Sequence, residues 1–68
     1  MTFNTIRAFS IKPGDRMPAP LSWGGWDYSR ALRVIAVSDA DGAKVFTLET
    51  GPKVRALPMT RVPFLRGA

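Results

Sequence analysis

The stretch VIAVSDADGAKVFTLETG, residues 34–51, decides the fold. Two runs rich in β-branched and aromatic residues, RALRVIAVS (30–38) and KVFTLET (44–50), flank Asp39-Ala40-Asp41-Gly42-Ala43. Strand-forming runs separated by a short Asp/Gly segment read as a β-hairpin. The spacing predicts a type I-like turn with Gly42 in the left-handed position, since glycine alone enters that region without a Cβ penalty. Outward from this hairpin, Gly51-Pro52-Lys53 predicts a second tight reversal into VRAL (54–57). Pro58-Met59-Thr60-Arg61 then reads as a single 3₁₀-type turn before a last short strand, VPFL (62–65).

Toward the start, TFNTIRAF (2–9) reads as a first strand, followed by IKPGDRM, where Pro13-Gly14-Asp15 fits a tight turn. PAPLSWGGWDYS (18–29) reads as a long irregular loop: Pro18 and Pro20 lack the N–H that a ladder needs, and Gly24-Gly25 favours no single conformation. No segment sustains a helical apolar period over three turns, so the expected class is all-β in one domain spanning 1–68. Period-two alternation sends Leu32, Val34, Ala36, Phe46, Leu48, Val54, Ala56, Val62 and Phe64 inward, joined by Ile6 and Ile11. The other face carries Arg33, Ile35, Val37, Val45, Thr47, Glu49, Arg55 and Arg61. Its Ile35/Val37/Val45 portion is a candidate surface for self-association.

Five short strands, one long early loop and a 3₁₀ turn before the last strand resemble the SH3-like small-barrel superfamily, including the KOW-type modules of transcription and translation proteins. The segments that carry the resemblance are IKPGDRM, VIAVSDADGAKVFTLETG and RALPMTRVPFL, which together cover nearly the whole chain. The peptide-binding signature Ala-Leu-Tyr-Asp-Tyr has no counterpart. The resemblance implies binding through loops and one sheet edge, with ligands that range from RNA and DNA to proline-rich peptides, and does not choose among them.

Composition narrows the function. The chain has 68 residues, no Cys and no His, so zinc, haem and iron–sulfur sites of the usual kind are excluded. No cofactor is expected. A domain this small has a thin stability margin and here has neither disulfide nor metal to widen it. There is no signal-peptide pattern and no apolar run near the roughly 20 residues that cross a bilayer, so a cytoplasmic protein with no membrane partner is expected. Without His or Cys, acid–base work would fall to Asp, Glu, Lys or Tyr28, and an enzyme is not expected. Asp39 and Asp41 belong to a turn that itself calls for Asp and Gly. Read as a calcium loop with Gly42 at position 6, the segment places Val37 at position 1 and Leu48 at position 12, both unable to ligate. Gly24-Gly25 lacks the Lys-Ser/Thr of a phosphate-binding loop.

The formal charge is +5, from seven Arg and three Lys against four Asp and one Glu, which favours nucleic acid or another acidic partner. SWGGWDYSR (22–30) is the candidate contact segment. At least one of Trp23 and Trp26 is expected to close the small core, because buried aromatic area stabilises by about 2–3 kcal/mol. The rings left outside would stack on bases, with Arg30 and Arg33 on adjacent phosphates. The expectation is a non-enzymatic nucleic-acid-binding module using Arg30, Arg33, Arg55 and Arg61, with Trp26 and Tyr28 as stacking groups. The alternative is a protein-interaction or assembly adaptor, of the kind phages and mobile elements encode, anchored by the same Trp23/Trp26/Tyr28 loop, as aromatic and Arg hot spots are.

Overall fold

A computed structural model describes residues 2–66. The chain runs β1 (Asn4–Arg7), a 3₁₀ turn (Ala8–Ser10), β2 (Arg16–Pro20), β3 (Trp26–Ala40), β4 (Ala43–Leu48), β5 (Lys53–Ala56) and β6 (Arg61–Phe64). The class is all-β as expected, but among the described residues six strands form two antiparallel sheets: a meander β2-β3-β4-β5 and a pair β1-β6. Among the described residues, one bridge joins the sheets. Arg16 and Leu65 exchange N–H···O bonds of 2.8 Å in both directions, so β6 lies beside β2 and the strands curl into a half-barrel.

The hairpin of residues 34–51 is present and tighter than predicted. Ala40 pairs with Ala43, and Asp41 (φ +50°) and Gly42 (φ +77°) form a two-residue turn with both residues at positive φ. Such a turn matches the twist of the flanking strands better than a type I turn does. The KPGD segment closes as a type II turn. Asp15 N–H donates to Lys12 O at 3.1 Å, Pro13 fixes the first φ, and Gly14 takes φ +99°.

The core holds Ile11, Leu32, Val34, Phe46, Leu48, Val54, Val62 and Phe64 as the alternation predicted, plus Ala8, Met17 and Ala19. Phe46, Met17, Leu48, Val34 and Pro18 have the largest fully buried side chains. Three expectations are corrected. First, the register of β3 against β4 shifts between Val34 and Ala36, a bulge that reverses the facing of the residues beyond it. Ala36 is therefore exposed, while Val37 packs against the core, so Ile35, Val37 and Val45 do not share one outer face. Second, the 3₁₀ turn follows β1, not β5. Residues 57–60 make one reversal closed by Thr60 N–H to Leu57 O at 3.0 Å, and the 3₁₀ segment docks on it through Ala8 N–H to Thr60 O and Phe9 N–H to Pro58 O.

Third, the long irregular loop is mostly a hairpin. β2 occupies Arg16–Pro20, β3 starts at Trp26, and Pro20 pairs with Trp26. The prolines fit because strand N–H groups alternate sides. Arg16 N–H points to Leu65 and Leu21 N–H points to Gly25 O at 2.9 Å, so positions 18 and 20 lose donors only on the side away from β3. Ser22-Trp23-Gly24 is a three-residue connection closed by Gly24 N–H to Leu21 O, with Gly24 at φ +97°.

Candidate functional site

The turn that closes at Asp15 sets four cations around one cleft. Lys12 and Arg16 flank the turn, and Arg33 lies directly across from Arg16 in the β2–β3 register. Arg66 arrives from the far end of the chain, because Leu65 is bridged to Arg16. With Pro13, Gly14 and Asp15 these residues line a cleft of about 370 Å³. Met17 and Leu32 face the core, so Arg16 and Arg33 stand on the outer face of the sheet.

Asp15 holds this arrangement together. Its residue is 4% exposed, and one carboxylate oxygen accepts both the Lys12 backbone N–H at 3.1 Å and the Arg66 guanidinium at 3.3 Å. Its backbone carbonyl accepts Val34 N–H at 2.8 Å, and Gly14 N–H donates to Val34 O at 2.9 Å, which pins the turn to β3. Arg66 also lies over the Phe64 ring, 5.0 Å from its centroid, as cations do on aromatic faces. Lys12, Arg16 and Arg33 make no salt bridge among the described residues. Four cations against one carboxylate leave the cleft strongly positive.

Along the same hairpin, the register against β2 jumps from Pro18–Ala31 to Ala19–Asp27. Tyr28, Ser29 and Arg30 thereby bulge out of the pairing with β2, and all three are exposed. Asp27 shapes this bulge: one carboxylate oxygen accepts the hydroxyl and the backbone N–H of Ser29. Those two bonds, helped by the Arg30 charge, hold the Asp27 carboxyl below its ordinary pKa. Tyr28 is 54% exposed and meets Phe3 edge-on, with centroids 5.7 Å apart and an interplanar angle of 67°.

The two tryptophans divide. Trp26 packs against the core and supplies the expected closure, whereas Trp23, at the hairpin tip, is 78% exposed. The adjacent glycines have different reasons. Gly24 takes the positive φ of the turn, and Gly25 leaves room for the Trp23 ring, whose carbons would lie 2.6–3.3 Å from a Cβ there.

Of the predicted site residues, Trp23, Trp26, Tyr28, Arg30 and Arg33 lie on the one β2–β3 hairpin, spread from its tip to its root, and of these only Arg33 lines the cleft. Arg55 stands on β5 across from Val45, and Arg61 opens β6 across from Arg7; neither lines the cleft. Lys12, Asp15, Arg16 and Arg66 were not among the predicted residues. For Lys12 and Arg16 the signal was there, since a tight turn between two cations four apart sets them side by side. Among the described residues, no three His, Cys, Asp or Glu side chains converge, and no helix is long and apolar enough to cross a membrane. No protein-family model, curated protein or solved structure matches this chain.

Proposed function

We propose that this protein is a non-enzymatic nucleic-acid-binding module of the cytoplasm, built on an opened SH3-like barrel. The barrel reading is supported by the element order: an antiparallel meander, a turn, and a last strand that returns beside the first. The observation that carries the function is the cleft, where Lys12, Arg16, Arg33 and Arg66 converge at the root of a hairpin that bears exposed Arg30, Tyr28 and Trp23. Clustered cations that neutralise phosphates release condensed counterions, which drives sequence-independent binding. The bulged aromatic and arginine offer a base a stacking face beside a phosphate contact.

Salt titration of a labelled oligonucleotide tests this. If the four cleft cations each meet a phosphate, log affinity falls with log salt at a slope of about −3. Arg33→Ala and Arg16→Ala, both at exposed positions, each flatten that slope by about 1. No binding at low salt, or a slope near zero, would overturn the proposal.

A second reading, a protein-interaction adaptor, is favoured by one further observation. Phe9 (52% exposed), Leu57 (63%) and Met59 (61%) gather where the 3₁₀ turn docks on the 57–60 reversal, and grouped exposed apolar side chains mark protein contacts.

A further inference from the structure

We infer that the strand bound along the β2–β3 hairpin is single, not duplex; this rests on the nucleic-acid reading above and adds the ligand's state. The hairpin runs from the Arg16–Arg33 pair at the cleft to Trp23 at its tip. At strand rise that is about 20 Å. Charge is concentrated at the root, and aromatic surface appears in the middle, at Tyr28, and at the tip, at Trp23. A duplex can use the first of these and not the second, because its bases already stack on one another and present only edges and phosphates. An unpaired base presents a π-face.

Each ring has a contact on the protein. Trp23 sits in a turn closed by Gly24 N–H to Leu21 O, with its benzo ring resting against the Cα of Gly25 and the rest of the indole open to water. Tyr28 is braced by the edge-on Phe3 ring, on a bulge stapled by Asp27 and Ser29. A ring braced before binding has less side-chain freedom to lose on binding, which is the condition for a useful stacking contact. Phosphates in the cleft and bases over the two rings then describe one continuous path along one hairpin.

The test compares a labelled dT oligonucleotide of about 12 nucleotides, within the usual range of site sizes, with a blunt duplex of equal length, both by fluorescence anisotropy at low salt. The single strand should bind more tightly than the duplex. Trp23→Ala should weaken single-strand binding roughly 5- to 150-fold, the equivalent of ~1–3 kcal/mol per stacked base, and leave duplex binding unchanged. Gly25→Ala, whose added methyl must push the ring off its seat, should weaken single-strand binding by less than removal of the ring. Thermal melts of both variants check that the fold is kept. Equal or tighter duplex binding, or indifference of the single strand to Trp23→Ala, would overturn the inference and leave an electrostatic nucleic-acid module standing. Failure to bind either ligand would sink the module reading together with it.

Discussion

Asp15→Asn should make the protein less stable and bind anions more tightly. The carboxylate is buried, yet it stands in a cleft whose other charged groups are all cations. Two bonds reach it. The Lys12 N–H bond is charge-assisted and contributes about 1.5–3 kcal/mol, while the Arg66 pair, with a half-exposed guanidinium, contributes about 0.2–1 kcal/mol. Asparagine keeps an oxygen for Lys12 N–H and loses the charge, so the expected cost is about 1 kcal/mol, or about 4–8 °C in Tm for a domain of this size. Alanine removes the acceptor as well, and about 2–3 kcal/mol should be lost. Ligand affinity moves the opposite way. A phosphate roughly 7 Å from the carboxylate is repelled by about 0.6 kcal/mol in water and about 2.4 kcal/mol at an effective dielectric constant of ~20. Removing the charge therefore tightens binding roughly 3- to 50-fold. Thermal circular dichroism gives the first quantity and oligonucleotide anisotropy the second. If Asp15→Asn binds no more tightly than the parent while its fold is intact, the ligand's phosphate does not lie in this cleft.

Two further outcomes concern the scaffold. Thr50 carries φ +72° between β4 and β5, a conformation that costs a β-branched residue about 1–2 kcal/mol, part of which glycine would give back through a freer unfolded chain. Thr50→Gly should raise Tm by a few degrees, and a lower Tm would refute the strain argument. Asp27 has a depressed pKa in the folded protein, so its contribution is fully present above the unfolded value near 3.8 and is lost as pH falls through the folded one. Ser29→Ala removes the largest cause and should move the carboxyl titration, followed by carbon NMR, upward toward 3.8; an unmoved titration would refute the assignment.

Where local chemistry and tertiary placement agree, the residues are enough to read the structure. VIAV and KVFTL are strands because their β-branched and aromatic side chains suit a half-buried sheet, and Pro13-Gly14 turns because its backbone preferences leave little else. The prolines at 18 and 20 mislead because tolerance of proline depends on which N–H groups the ladder uses, and that is set by the pairing of β2 with β3, which is not legible until the hairpin is known. The bulge at Ile35 is invisible for a similar reason: Val34, Ile35, Ala36 and Val37 are all apolar, so alternation cannot say where the register slips. Trp23 and Trp26 differ in fate through their positions on one hairpin, the tip against the first rung, which requires knowing that the hairpin exists. Arg33 was legible as a cation on an outward face. That Arg66 would join it follows only from β6 lying beside β2.

The bridge between Arg16 and Leu65 makes the cleft a seam. Arg16 belongs to one sheet, Arg66 follows the last strand of the other, and a bound anion gripped by both would clasp the two halves of the shell. Occupancy and closure would then become a single equilibrium, and the half-barrel would be stiffest when loaded.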